Sequence, residues 1–150
     1  MRYVSNKHVW FTDSYKNPKS KYNGYLVYND EKNEQPHYLP QTANDTVARA
    51  VLLNLKNAKV KEYASKVLKY WADPNGDGNF YDGVDGFRLH YVANETGGLK
   101  GLLRDFWTPL VAEAKKVNPE LQMMAEEDSR SPSTGNLYLA ANADRVMDAS

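Results

Sequence analysis

His90 and Glu126 are the side chains whose setting points to chemistry. Each closes a short apolar run, Gly83-Val84-Asp85-Gly86-Phe87-Arg88-Leu89-His90 in one case and Leu121-Gln122-Met123-Met124-Ala125-Glu126 in the other. Side chains alternate between faces along a strand, so Arg88 points the same way as His90. An apolar strand that ends in an ionisable group, used twice, predicts a rim where an imidazole and a carboxylate meet. Such a rim reads as catalytic, either active or decayed.

The elements that must position the pair follow from the spacing between them. Leu99, Leu102, Leu103, Phe106, Trp107, Leu110, Val111, Ala114 and Val117 share one broad helical face, predicting a helix near 98–117. Pro109 inside it predicts a kink or a break. Asn118-Pro119 ends it, a strand over 121–126 follows, and Asp144 to Met147 begins a third. Strand, helix and strand with short connections predict a parallel βαβ unit with a right-handed crossover. In such architectures function gathers at the carboxyl ends of the strands, where His90 and Glu126 fall.

Upstream, Asn57 reads as the N-cap of a helix whose apolar face carries Val60, Tyr63, Ala64, Val67, Leu68 and Trp71. Asp73-Pro74 stops it. Ala48 to Leu53 reads as a short helix or turn. Residues 1–47 are aromatic-rich and irregular, with a short strand predicted at Tyr25 to Tyr28. So long a loop inside a domain predicts a functional segment or part of something incomplete.

A chain of 150 residues supports one domain with a core. Nineteen basic residues balance nineteen acidic ones, which argues against nucleic acid or an anionic membrane surface as a partner. No apolar run approaches the roughly 20 residues of a membrane span. Met1 to Phe11 lacks the apolar core of a signal peptide. Cysteine is absent, which excludes disulfides and thiolate chemistry but leaves the compartment undecided. Eleven tyrosines suit stacking on sugar rings or bases, or a plainer half-buried surface role.

At these residues the chain resembles the α-amylase family, glycoside hydrolase family thirteen. Gly83 to Leu89 resembles the family's strand-four signature, Gly-Val-Asp-Gly-Phe-Arg-Leu-Asp, and Met124-Ala125-Glu126 resembles its strand-five element. Ser5 to Phe11 is similar to the stretch after strand three, Leu53 to Trp71 to the helix leading into strand four, and Asn142 to Met147 to the approach to strand six.

The resemblance implies an α/β fold: part of a (β/α)₈ barrel, about strands four to six, over residues 48–150, after an irregular segment at 1–47. A full barrel takes about 250 residues, so the expectation is an internal piece with open edges, marginally stable or self-associating. Full-length relatives are often secreted. The resemblance further implies a retaining hydrolase acting on α-1,4-glucans, starch or maltooligosaccharides. Glu126 then stands at the acid/base position and Arg88 where the nucleophile is oriented. His90 stands at the nucleophile position, where the family has aspartate. Arg2 and Tyr3 likewise replace an Asn-His pair of strand three.

Retaining hydrolysis needs two carboxyl groups about 5–5.5 Å apart. Glu126 would serve as the acid if burial or its neighbours Glu127 and Asp128 raised its pKa; its plainer reading is a charged strand end. A neutral imidazole is a competent nucleophile, whereas a protonated one repels an oxocarbenium-like transition state. His90 therefore reads as an altered nucleophile, part of a site kept for sugar binding, or a lesion, and the charge argument favours loss of hydrolysis.

Asp73-Pro74-Asn75-Gly76-Asp77-Gly78-Asn79 carries the alternate oxygen ligands of a calcium loop, with Asp82 able to add a carboxylate. Val84 stands where an EF-hand has glutamate, and a loop of Asx turns explains the same residues. His8 and His37 lack partners at zinc spacing.

Overall fold

The computed structural model describes residues 2–38, 49–128 and 143–149. They fall into two compact units, Met1–Val60 and Lys61–Ser150.

In the first unit, β1 (Tyr3–Ser5) pairs antiparallel with β2 (Ala50–Leu52), setting Val4 opposite Val51. The helix or turn expected around Ala48 to Leu53 is thus a strand where it is described. Val51 and Leu52 are fully buried, and their burial within a ladder overrides local propensity. Helix α1 (Val9–Ser14) is capped by His8, whose Nδ1 accepts from Trp10 N at 3.2 Å. Trp10 and Phe11 are buried, with Tyr25 edge-on to Trp10 at 5.2 Å.

The segment from 15 to 38 carries no regular helix or strand, and the strand expected at Tyr25 to Tyr28 is reduced to isolated bridges at Leu26 and Tyr28. Side chains satisfy its backbone instead. The Asp30 carboxylate accepts N–H groups from Lys32, Glu34 and Gln35, and buried Asn33 donates to Ser14 O at 3.0 Å.

Helix α2 (Ala58–Ala72) opens on the expected cap: Asn57 Oδ1 accepts from Lys59 N at 2.9 Å and Val60 N at 3.3 Å. Val60, Ala64 and Ala72 are buried. Tyr63 and Trp71, expected on the apolar stripe, are 40% and 52% exposed.

The second unit is built on a three-stranded sheet. β3 (Gly86–Val92), β6 (Gln122–Asp128) and β7 (Arg145–Ala149) lie in that order and pair parallel, as the βαβ pattern predicts. Among the described residues the sheet is open, with β3 and β7 at its edges. Gly86 lies opposite Gln122, and a Cβ there would sit 2.2 Å from the Gln122 carbonyl oxygen, so only glycine admits this approach.

The expected single helix over 98–117 is divided. Its first residues form a small hairpin, β4 (Glu95–Thr96) with β5 (Leu99–Lys100). A π-helical turn, Leu103–Trp107, then leads into α3 (Thr108–Val117). Pro109 has no N–H to continue the ladder and sits at the start of α3, where none is needed. Thr108 Oγ1 donates to Leu103 O at 2.8 Å, meeting a carbonyl in the widened turn.

One face of the sheet packs on apolar side chains. Leu89, Met123 and Ala125 are buried, as are Phe106, Trp107, Leu110, Val111 and Ala114 from the helical stretch. Trp107 also donates through Nε1 to Ala93 O at 3.2 Å. Alternation therefore turns Arg88, His90, Gln122, Met124 and Glu126 to the opposite face.

Candidate active site

The parallel register sets Arg88 beside Met124 and Leu89 beside Ala125, with an irregularity between Leu89 and Val92. His90 and Glu126 consequently meet across neighbouring strands, as the sequence predicts. His90 Nδ1 hydrogen-bonds Glu126 Oε2, and Arg88 Nη2 donates to Glu126 Oε1 at 2.6 Å. The Glu126 side chain is 7% exposed, whereas Arg88 and His90 are 58% and 64% exposed. The carboxylate is thus the covered centre of the cluster, with two donors as its lid.

That geometry sets its charge state. Burial pushes the Glu126 carboxyl upward, but hydrogen bonds from His90 and Arg88, together with their positive charge, outweigh it. The group is held below its ordinary value of 4.5. The upward shift that a general acid requires is not what this arrangement produces. The Glu127 and Asp128 side chains, expected to press on Glu126, lie outside the described residues. An ionised carboxylate accepts only, so His90 Nδ1 carries the shared proton.

Below this cluster the same face holds a groove of about 410 Å³, lined by Arg88, Gln122, Met124 and Arg145 among others. It reaches Arg88 but neither His90 nor Glu126. Arg145 was not singled out by its sequence, because only the register Met124 to Arg145 brings it to this face.

The acidic loop is closed by hydrogen bonds from its own backbone to its side chains. Asp73 accepts from Gly76 N at 2.8 Å through one carboxylate oxygen and from Gly78 N at 3.0 Å through the other. Asn75 and Asp77 accept from the N–H groups of Asp77 and Asn79, and Asn79 accepts from Tyr81 N. Asp82 belongs to the 3₁₀ turn Phe80–Asp82 that follows. As placed, these oxygens close Asx turns. Among the described residues no group of three or more His, Asp or Glu side chains is gathered to hold a metal.

No family model matches the chain. Over 136 residues it is 25% identical to Alpha-amylase 3 of Dictyoglomus thermophilum, covering 84% of this chain and 25% of that protein. A solved cyclomaltodextrinase superimposes on 97% of this chain with a TM-score of 0.64 at 25% identity, using 22% of its own length. The chain is related to the α-amylase family of glycoside hydrolases. It spans about a quarter of the length of these relatives. A third similar structure is the cyclic α-maltosyl-(1→6)-maltose hydrolase of Arthrobacter globiformis, solved with cyclic α-maltosyl-(1→6)-maltose. It aligns over 97% of this chain and 29% of its own at 22% identity, with a TM-score of 0.62. The described residues form a mixed α/β arrangement that aligns with part of these larger proteins, and among them no barrel is closed.

Proposed function

We propose that the rim formed by Arg88, His90 and Glu126 is an α-amylase-type site for α-1,4-glucans, with Glu126 at the acid/base position, and that its hydrolytic step is impaired. The clamp on Glu126 carries this reading. A retaining cycle needs one carboxylate to attack the anomeric carbon and one carboxylic acid to protonate the leaving oxygen. Here the attacking position holds His90, and that imidazole is engaged with the would-be acid. Glu126 in turn is held ionised, without the proton that the leaving oxygen requires. Both halves of the cycle are therefore weakened by one contact.

Binding asks less of the site. A carboxylate and a guanidinium held on a strand rim still accept from and donate to sugar hydroxyls. The relatives' names and the saccharide bound to one of them support an α-glucan as the ligand class.

Calorimetry with maltoheptaose and reducing-sugar release from soluble starch test the proposal together. Saturable binding that weakens in Glu126→Gln, with little sugar release by the unaltered chain, supports it. Efficient release abolished by Glu126→Gln would show instead that His90 supports hydrolysis. Absence of binding would remove the glucan reading.

A further inference from the structure

We infer that a second saccharide site lies at the other end of the same strands, built around Tyr81. A groove of about 410 Å³ is lined there by Asn79, Phe80, Tyr81, Asp85, Asn118 and Glu120. Its volume falls within the roughly 300–1,000 Å³ of small-molecule sites. Asp85 immediately precedes β3 and Glu120 lies just before β6, so the groove sits at the amino-terminal ends of the strands that carry His90 and Glu126 at their carboxyl ends.

Tyr81 is 99% exposed, yet its backbone is fixed. Asn79 Oδ1 accepts from Tyr81 N, Gly83 N donates to Phe80 O at 3.1 Å, and Val84 N donates to Trp71 O at 2.9 Å. Gly83 is pressed so close to the end of α2 that a Cβ would meet Ala72 O at 2.2 Å. The turn is therefore pinned while its ring stands clear in solvent, an arrangement that costs apolar exposure without contributing to the core.

The lining chooses among ligands. An open aromatic face takes the C–H face of a pyranose ring, as tyrosine combines an apolar body with a polar tip. Asp85 and Glu120 are exposed acceptors for hydroxyl groups, and their paired negative charge disfavours phosphates and other anions. Asn118, 4% exposed, accepts from Glu120 N at 2.9 Å and so orders that side of the groove. A neutral saccharide satisfies all of these features.

The choice of an α-glucan as probe rests on the proposed function; the site itself does not. Amide-resolved NMR titration of the whole chain with maltotriose reads both places at once. The expected result is shifts of amides at 78–85 and 118–120. Tyr81→Ala should weaken this response by roughly fivefold or more, while Tyr81→Phe keeps it within about twofold. Tyr81 makes no core contact, so neither variant should disturb folding, and Glu126→Gln should leave these shifts intact. Shifts confined to amides around 90 and 126 would overturn the second site while leaving the proposed function standing. Shifts at 78–85 that survive Tyr81→Ala would also overturn it.

Discussion

Arg88 reaches across from β3 to Glu126 on β6, with Nη2 2.6 Å from Oε1. The guanidinium that the family resemblance assigns to orienting the residue at position 90 instead holds the carboxylate on the neighbouring strand. Replacing it by methionine removes one donor and its charge, so the Glu126 carboxyl should rise. A carboxyl held low in the folded state lends stability above its unfolded pKa and loses it as pH falls through the folded one. Denaturant midpoints at pH 6 and pH 3 should therefore differ less in Arg88→Met than in the unaltered chain.

Glu113 offers a second acid-sensitive contact, away from the site. Hydrogen bonds from Lys116 and from Lys69, the latter at 2.6 Å, with the charges of both lysines, hold its carboxyl at about 2. The same sign applies: its contribution is present above about 4.5 and lost as pH falls toward 2. Glu113→Gln should flatten the fall in stability across that window and leave pH 7 fluorescence unchanged. Because these side chains are partly exposed, 0.5 M salt should flatten it too.

Gly86→Ala tests the sheet that presents the cluster. The added methyl meets the Gln122 carbonyl, which is backbone and cannot swing away. The substitution should cost about 1–3 kcal/mol by overpacking and push β3 from β6. The His90 to Glu126 hydrogen bond should weaken with it, visible as a change in the His90 ring resonances.

Trp107→Ala should cost about 3–5 kcal/mol, since it empties a nearly fully buried volume and orphans the Ala93 carbonyl. Tyr70→Ala, at a side chain 56% exposed, should stay within about 0.5 kcal/mol. Urea titrations of the two variants check both.

Asp73→Ala removes an acceptor for two backbone N–H groups and should lower stability by about 1 kcal/mol. A calcium titration of the unaltered chain, read by its melting temperature, checks whether the same oxygens also take a cation. A rise that is lost in Asp73→Ala would show a cage, and an unchanged melting temperature would leave the Asx turns as the whole role of these side chains.

Much of the second unit was legible because its signals are periodic. Alternation at Gly86 to His90 and Gln122 to Glu126 set both the faces and the meeting of the two ionisable groups. What escaped were features decided by partners far along the chain. Ala50 to Leu52 is a strand only because β1 lies beside it, and Arg145 joins the face of Arg88 and Glu126 only through its register with Met124. The π-helical turn at Leu103–Trp107 has no periodic signature, although Pro109 marked its place. The charge state of Glu126 likewise depends on partners from another strand. The sequence leaves an upward shift conditional on burial or on Glu127 and Asp128, whereas two cross-strand donors hold the group down.

Carbon-13 NMR titration of the Glu126 side-chain carboxyl tests this account most directly. The clamp predicts a midpoint below 4.5 in the unaltered chain and a clear rise in His90→Asp, where a donor gives way to a second carboxylate. A midpoint at or above 4.5 in the unaltered chain, or one indifferent to His90→Asp, would contradict it.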